Sequence, residues 1–236
     1  MKQVDTRKLA KRQLVYEVVS GGSGLILALF MWGHMMFVGS ILIGTYGFDW
    51  LALQLEVYFI AQPTVVVIFT LFLVHAVLAA RKIPAQLEER RTIIKLARDL
   101  KAQPHEESML WIWQVRTGMV VLVLGSFHLV LLAIDVLTPL FGERVGIESV
   151  TSLARVQAGL WLPYAVLLVC VEFHASIGLY RLAVKWGVFA RLSRHTLKAI
   201  ERVILWAFLG LGVVILLVLA GVIPPPLEFL LTEATA

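Results

Sequence analysis

Five apolar stretches, each long enough to cross a lipid bilayer, leave this 236-residue chain little else to build with. They run at about Ser20–Gly44, Leu53–Ala80, Ile112–Ile134, Leu160–Leu182 and Val203–Ile223. A spanning helix needs about 20 mostly apolar residues, and in lipid only helices and closed barrels satisfy every backbone polar group. A soluble globule must cover its core with polar chain. With 59% hydrophobic residues and a mean hydropathy of +0.85, too little polar chain is present for that. The sequence therefore predicts an all-α membrane protein, a single domain over residues 1–236 built as a five-transmembrane-helix bundle. The first run is too long and starts too late to read as a cleaved leader.

The formal charge of +5 could point to nucleic acid, but the placement of the charges argues for a membrane. Of 21 Lys and Arg, five precede the first run (Lys2, Arg7, Lys8, Lys11, Arg12), eight lie from Arg81 to Arg116 and six from Arg181 to Arg202. Those 19 fall on one side, and only Arg144 and Arg155 on the other. Basic loops stay in the cytoplasm, so the N-terminus is expected inside and the C-terminus outside. Residues 1–19 read as a basic amphipathic lead-in at the inner face, and 85–109 as an interfacial amphipathic helix ended by Pro104. His105 and His195 read as solvated histidines near that face.

Ionisable groups inside lipid-length runs are costly and face a bundle interior, a cofactor or a water path. Four of the runs hold one histidine each, His34, His75, His128 and His174. The fourth also holds Glu172, in the stretch V-E-F-H-A-S-I-G-L-Y-R-L-A-V-K-W-G from Val171 to Gly187. Depth groups the histidines. At about 1.5 Å of rise per residue, His34 and His128 lie about 21–24 Å from the inner face, and His75 and His174 about 8–12 Å. Each layer is fed by two different helices.

Four ligands around one zinc or copper would have to converge to bonds of about 2 Å, which layers about 10 Å apart cannot do. Two planar macrocycles, each gripped from both sides, fit the layers. Iron held by two histidines has no open position and serves electron transfer rather than oxygen chemistry. No Cys-x-x-Cys-His occurs, so such haem would be b-type and not covalently attached. The single cysteine, Cys170, excludes an internal disulfide and a cysteine-ligated cluster within the chain. The alternative is four polar packing residues or a histidine-based proton channel, which would show no visible absorption. Glu172 lies two residues, about 200° of helical turn, from His174 and so points away from any metal held there.

The fourth-run stretch resembles the dihaem cytochrome b membrane-anchor subunit of quinol:fumarate reductases and of menaquinone-linked succinate dehydrogenases. The similarity extends through Gly33-His34-Met35, through Val74-His75-Ala76 with Arg81-Lys82-Ile83-Pro84, and from Trp111 to His128. The resemblance implies that His34 and His128 ligate an outer haem iron and His75 and His174 an inner one. It also implies menaquinol as substrate, and iron–sulfur and flavoprotein partners on the cytoplasmic face carrying the clusters, the FAD and the dicarboxylate site. The assembly would sit in a bacterial inner membrane, with a dimer of heterotrimers as one possible form. By position, Ser20, Trp111 and Lys185 correspond to haem-propionate anchors. Arg181 shares a helix face with Lys185 and suits the same role. Glu56 corresponds to the quinol-site carboxylate, with Asp49 as its rival, and Glu172 to the acid of a proton path. The same architecture could run as a succinate:menaquinone reductase or, less well matched, as the cytochrome b of another quinone-linked dehydrogenase.

Overall fold

A computed structural model of the chain describes residues 6–81, 91–92, 95–96, 99, 106–138 and 148–230. Its long elements are helical, and no strand occurs among the described residues. In chain order they are α1 (Thr6–Gly39) with a 3-10 turn at Ser40–Ile43, α2 (Thr45–Val57), α3 (Ala61–Ala80), α4 (Glu106–Leu137), α5 (Ser149–Arg155), a π turn (Val156–Leu160), α6 (Trp161–Trp186) and α7 (Arg194–Leu219). Among the described residues, five segments are long and apolar enough to cross a membrane, at Arg7–Ile43, Ala61–Ala80, Glu107–Asp135, Ser149–Trp186 and Arg194–Leu219. The face that carries the start of α1 is called the inner face below.

Element ends depart from the hydropathy runs for local reasons. Residues 6–19 are the first turns of α1 itself rather than a separate lead-in. The stretch between the first two apolar runs is itself helical. Gly44, at φ 103, starts α2, which runs to Val57 and is closed by the left-handed Phe59 at φ 53. The second spanning helix therefore begins at Ala61, not Leu53. Pro63 falls in its first turn, where a missing N–H costs no intrahelical bond. Apolarity carries no mark of this break, because Tyr58-Phe59-Ile60 are themselves apolar.

The fourth spanning segment begins earlier than Leu160. Ser149–Arg155 is already helical, and a π turn with Gly159 at φ 101 and ψ 0 joins it to α6. Pro163 again occupies a first helical turn. Helix α7 starts at Arg194, capped by Ser193 Oγ accepting from Thr196 N at 3.0 Å, and His195 lies exposed in its first turn. It ends at Leu219, ahead of Gly221 in the left-handed region and of Pro224 to Pro226. His105, Pro104, Arg144 and most of the expected 85–109 helix lie outside the described residues.

Helix α1 packs on α3, α4 on α6, and α6 on α7. A buried apolar cluster of Met35, Ile41, Leu42, Phe48, Val156, Ile215, Val218 and Leu219 closes the outer end. Leu227 N donates to Leu42 O at 2.9 Å there, tying the chain beyond α7 to the end of α1. Asp49 of α2 accepts from the backbone N and the Oγ of Ser149 at 2.7 and 2.8 Å, so α2 caps α5 from outside. Helix α3 has no buried residue and forms one flank of the bundle. Its exposed Val65, Val66, Val67 and Val77 suit lipid, which is as apolar as they are.

Candidate functional site

The four intramembrane histidines meet in two pairs. His34 of α1 faces His128 of α4, with ring centroids 6.3 Å apart and planes at 56°. His75 of α3 faces His174 of α6 at 6.2 Å and 83°. All four rings are half-buried. Two imidazoles on opposite sides of one metal have a characteristic separation. With metal–nitrogen bonds of about 2.0 Å and a five-membered ring radius of about 1.1 Å, centroids stand about 6.2 Å apart. Both pairs match that value. No group of three or more His, Cys, Asp or Glu able to hold one ion occurs among the described residues. The donor set therefore suits a centre that brings its own equatorial ligands, as a porphyrin does.

The inner pair is oriented by backbone. His75 Nδ1 lies 3.0 Å from the carbonyl of Ser20 and 3.3 Å from Ser23 Oγ, and His174 Nδ1 lies 2.8 Å from the carbonyl of Gln114. A carbonyl only accepts, so each Nδ1 carries the proton and each Nε2 keeps its lone pair for a metal. Both acceptors belong to helix interiors, where a side chain four residues on normally covers the carbonyl. Here that residue is glycine both times, Gly24 after Ser20 and Gly118 after Gln114. A Cβ on Gly24 would stand 2.8 Å from His75 Cε1, and one on Gly118 2.7 Å from His174 Cε1. Helices α1 and α4 thus offer the same notch, a bare carbonyl beside a glycine, each seating an imidazole from a neighbouring helix.

Residues 86–219 match the family of succinate dehydrogenase/fumarate reductase transmembrane subunits, more than half of the chain. The chain belongs to this family. Among known proteins it is 38% identical over 191 residues to the fumarate reductase cytochrome b subunit of Wolinella succinogenes, covering 78% of this chain and 71% of that one. It is 33% identical over 204 residues to the fumarate reductase cytochrome b subunit of Helicobacter pylori strain 26695, covering 83% and 76%.

The remaining candidate residues of this family member sit at three levels. At the inner face, Arg181 Nη1 donates to Gln114 Oε1 at 2.9 Å, and Lys185 is paired with Glu17 of α1. Both cations therefore fasten α6 to its neighbours. Arg181 also steadies the residue whose carbonyl seats His174. Ser20 is buried, with its carbonyl accepting from His75, and Trp111 is half-buried near the start of α4.

In the buried centre, Glu172 is 1% exposed. Its Oε2, the Oγ of Ser176 one turn on, and the Nε1 of Trp32 on α1 all lack a hydrogen-bond partner. Buried polar atoms without partners are expensive, and each calls for an explanation such as an internal water or a chemical role. At the outer side, Glu56 is exposed at the end of α2, and Asp49 serves the Ser149 cap described above. His128 Nδ1 lies 3.3 Å from the hydroxyl of Tyr164, and His34 is stacked on Phe30 at 5.7 Å.

Sequence reasoning did not single out Gly24, Gly118, Gln114, Tyr164, Asp135 or Arg155 as site residues. For the glycines, a signal was present in the fixed spacing of four between a polar residue and glycine on two histidine-partner helices. For the Asp135–Arg155 pair, 2.6 Å apart and buried, no local signal exists.

Proposed function

We propose that this chain is the dihaem cytochrome b anchor of a quinol:fumarate reductase and oxidises menaquinol at the membrane. The observation that carries the reading is the spacing of the two histidine pairs, 6.3 and 6.2 Å, on four different helices. The outer haem would be held by His34 and His128, the inner by His75 and His174. Bound haem b supplies one-electron transfer between the outer and inner halves of the membrane. The names of the relatives, fumarate reductase cytochrome b subunits, support both the haem and the complex. An iron–sulfur subunit and a flavoprotein would dock on the inner face; the positive-inside bias supports a cytoplasmic side for that face, and the membrane would be a bacterial inner membrane.

The chain's own residues orient and move protons. The Ser20 and Gln114 carbonyls orient the inner imidazoles through Nδ1, which directs Nε2 to a metal. Ser20, Trp111, Arg181 and Lys185 lie toward the inner end, where propionates need hydrogen-bond donors or cations. For Arg181 and Lys185 this requires sharing with Gln114 and Glu17. Menaquinol releases two protons with its two electrons, so an acid at the outer interface must accept them. Glu56 is exposed there with its carboxyl open to a ligand, whereas Asp49 already accepts two hydrogen bonds from Ser149. Glu172, whose buried Oε2 has no hydrogen-bond partner, would take up and release a proton in the bundle interior.

Two substitutions test these roles in the assembled complex. Glu56→Gln is expected to lower quinol oxidation by about 100-fold, the scale of losing a positioned base. Both haems and fumarate reduction from an artificial donor should stay unchanged. Normal quinol oxidation in that variant, with loss in Asp49→Asn, would transfer the role to Asp49. Glu172→Gln keeps the shape and removes the exchangeable proton. Quinol-driven fumarate reduction in sealed vesicles should fall at least tenfold, with haem content and artificial-donor activity retained. Unchanged quinol-driven turnover would make Glu172 a structural residue.

A further inference from the structure

The inner histidines lean on backbone carbonyls, but His128 has no such acceptor among the described residues. Its Nδ1 meets a side chain, the Tyr164 hydroxyl, at 3.3 Å, with the two rings nearly perpendicular at 82° and centroids 5.4 Å apart. The guanidinium of Arg155 lies near that hydroxyl, close enough to act on it electrostatically. Arg155 is in turn held by Asp135 at 2.6 Å, with Asp135 0% and Arg155 5% exposed. The series Asp135, Arg155, Tyr164, His128 thus runs from α4 through the last residue of α5 to α6 and back to α4.

Local geometry makes this series possible. In an unbroken α-helix, residues nine apart, such as 155 and 164, point about 180° away from each other. The π turn at Val156–Leu160 and the left-handed Gly159 lie between them and let both turn to the same interior. Stability does not explain the arrangement. Burying an ion pair costs desolvation that the attraction between the charges often fails to offset. Here Asp135 Oδ1 and Arg155 Nε are left buried without any hydrogen-bond partner. A metal-binding histidine needs its second nitrogen held, since that contact sets the tautomer, the ring plane and the donor strength of the first.

Resting on the assignment of His128 as an axial ligand, we propose that Tyr164 is its positioning residue, clamped by the buried Asp135–Arg155 pair. The phenol oxygen accepts from Nδ1–H and fixes the imidazole plane in the outer site. In the inner site main-chain carbonyls fill that role, joined at His75 by the Ser23 hydroxyl at 3.3 Å. The outer haem would then answer to a change at Tyr164, and the inner haem would not.

The test uses the intact complex carrying Tyr164→Phe, which removes one oxygen and keeps the ring. The readouts are haem content, the midpoint potential of each haem and the low-spin electron paramagnetic resonance g values, which report ligand-plane orientation. Each haem is assigned by its disappearance in His34→Ala or His75→Ala. The expected result is two haems, a shifted potential and g value for the outer one, and an unchanged inner one. Selective loss of the outer haem would support the same conclusion. Unaltered potentials and g values for both haems, or an equal shift in both, would overturn it and reduce Tyr164 to packing. Should Tyr164→Phe fail to assemble, Asp135→Asn releases the clamp without touching the ring, and the same two outcomes decide. If the complex with Tyr164 intact loses no haem on His128→Ala, the ligand assignment itself is wrong, a result distinct from an unmoved Tyr164→Phe.

Discussion

Alanine at His75 or His174 is expected to leave the assembled complex with its outer haem alone, and alanine at His34 or His128 with the inner haem alone. Each substitution removes one of two imidazoles that face each other at 6.2 or 6.3 Å. Iron left with one axial protein ligand loses half of its anchoring, and haem b has no covalent link to fall back on. Haem content should drop by about half in each single variant. Pairing the substitutions within one layer, His75 with His174, should remove no more than either alone. Pairing them across layers should remove both haems. Haem measured per chain by extraction gives the answer directly. If His34→Ala and His128→Ala affected different haems, the pairing would be wrong.

Alanine at Gly118 should remove the inner haem nearly as completely as loss of His174 itself. The new Cβ would stand 2.7 Å from Cε1 and 2.9 Å from Nδ1 of His174, inside contact distance. The ring must move off the Gln114 carbonyl, which it now meets at 2.8 Å. Moving by even a few tenths of an ångström takes Nε2 off the line to its partner and costs the bond that sets the tautomer. Gly24→Ala should do the same to His75 through a contact of 2.8 Å. Gly210→Ala on α7 is the control, because nothing lies within 4 Å of a Cβ there. Alanine improves a helix interior by roughly 0.5–1 kcal/mol over glycine, so that variant should assemble with both haems. An inner haem that survives Gly118→Ala with its spectrum unaltered would show that the notch does not seat His174.

What could be read from the chain alone follows from how local each cause is. The five spans were legible because lipid demands long apolar helices wherever the chain crosses. Histidine depth was legible because helical rise is constant, and counting from the inner ends brings His34 level with His128 and His75 level with His174. Breaks within apolar chain were not legible. The left-handed Phe59 splits α2 from α3 inside a continuous hydropathic run, and the π turn at Gly159 hides in another. The glycine notches were written in the spacing of Ser20 with Gly24 and of Gln114 with Gly118. They become meaningful only once a ring from another helix is seen to fill them. Asp135 and Arg155 find each other across a loop, and Tyr164 comes near Arg155 only because a π turn intervenes. Pairings of that kind depend on tertiary placement and leave no periodic trace. Arg155, counted among the outer charges by its position in the chain, is in fact buried in its ion pair.

The central claim is that this chain grips two haems by four histidines. Quantifying non-covalently bound haem per chain in the intact, purified complex tests it most directly. Two haems per chain are expected, both with reduced-minus-oxidised spectra of low-spin b-type cytochromes. One haem per chain, or none, in fully loaded complex would contradict it.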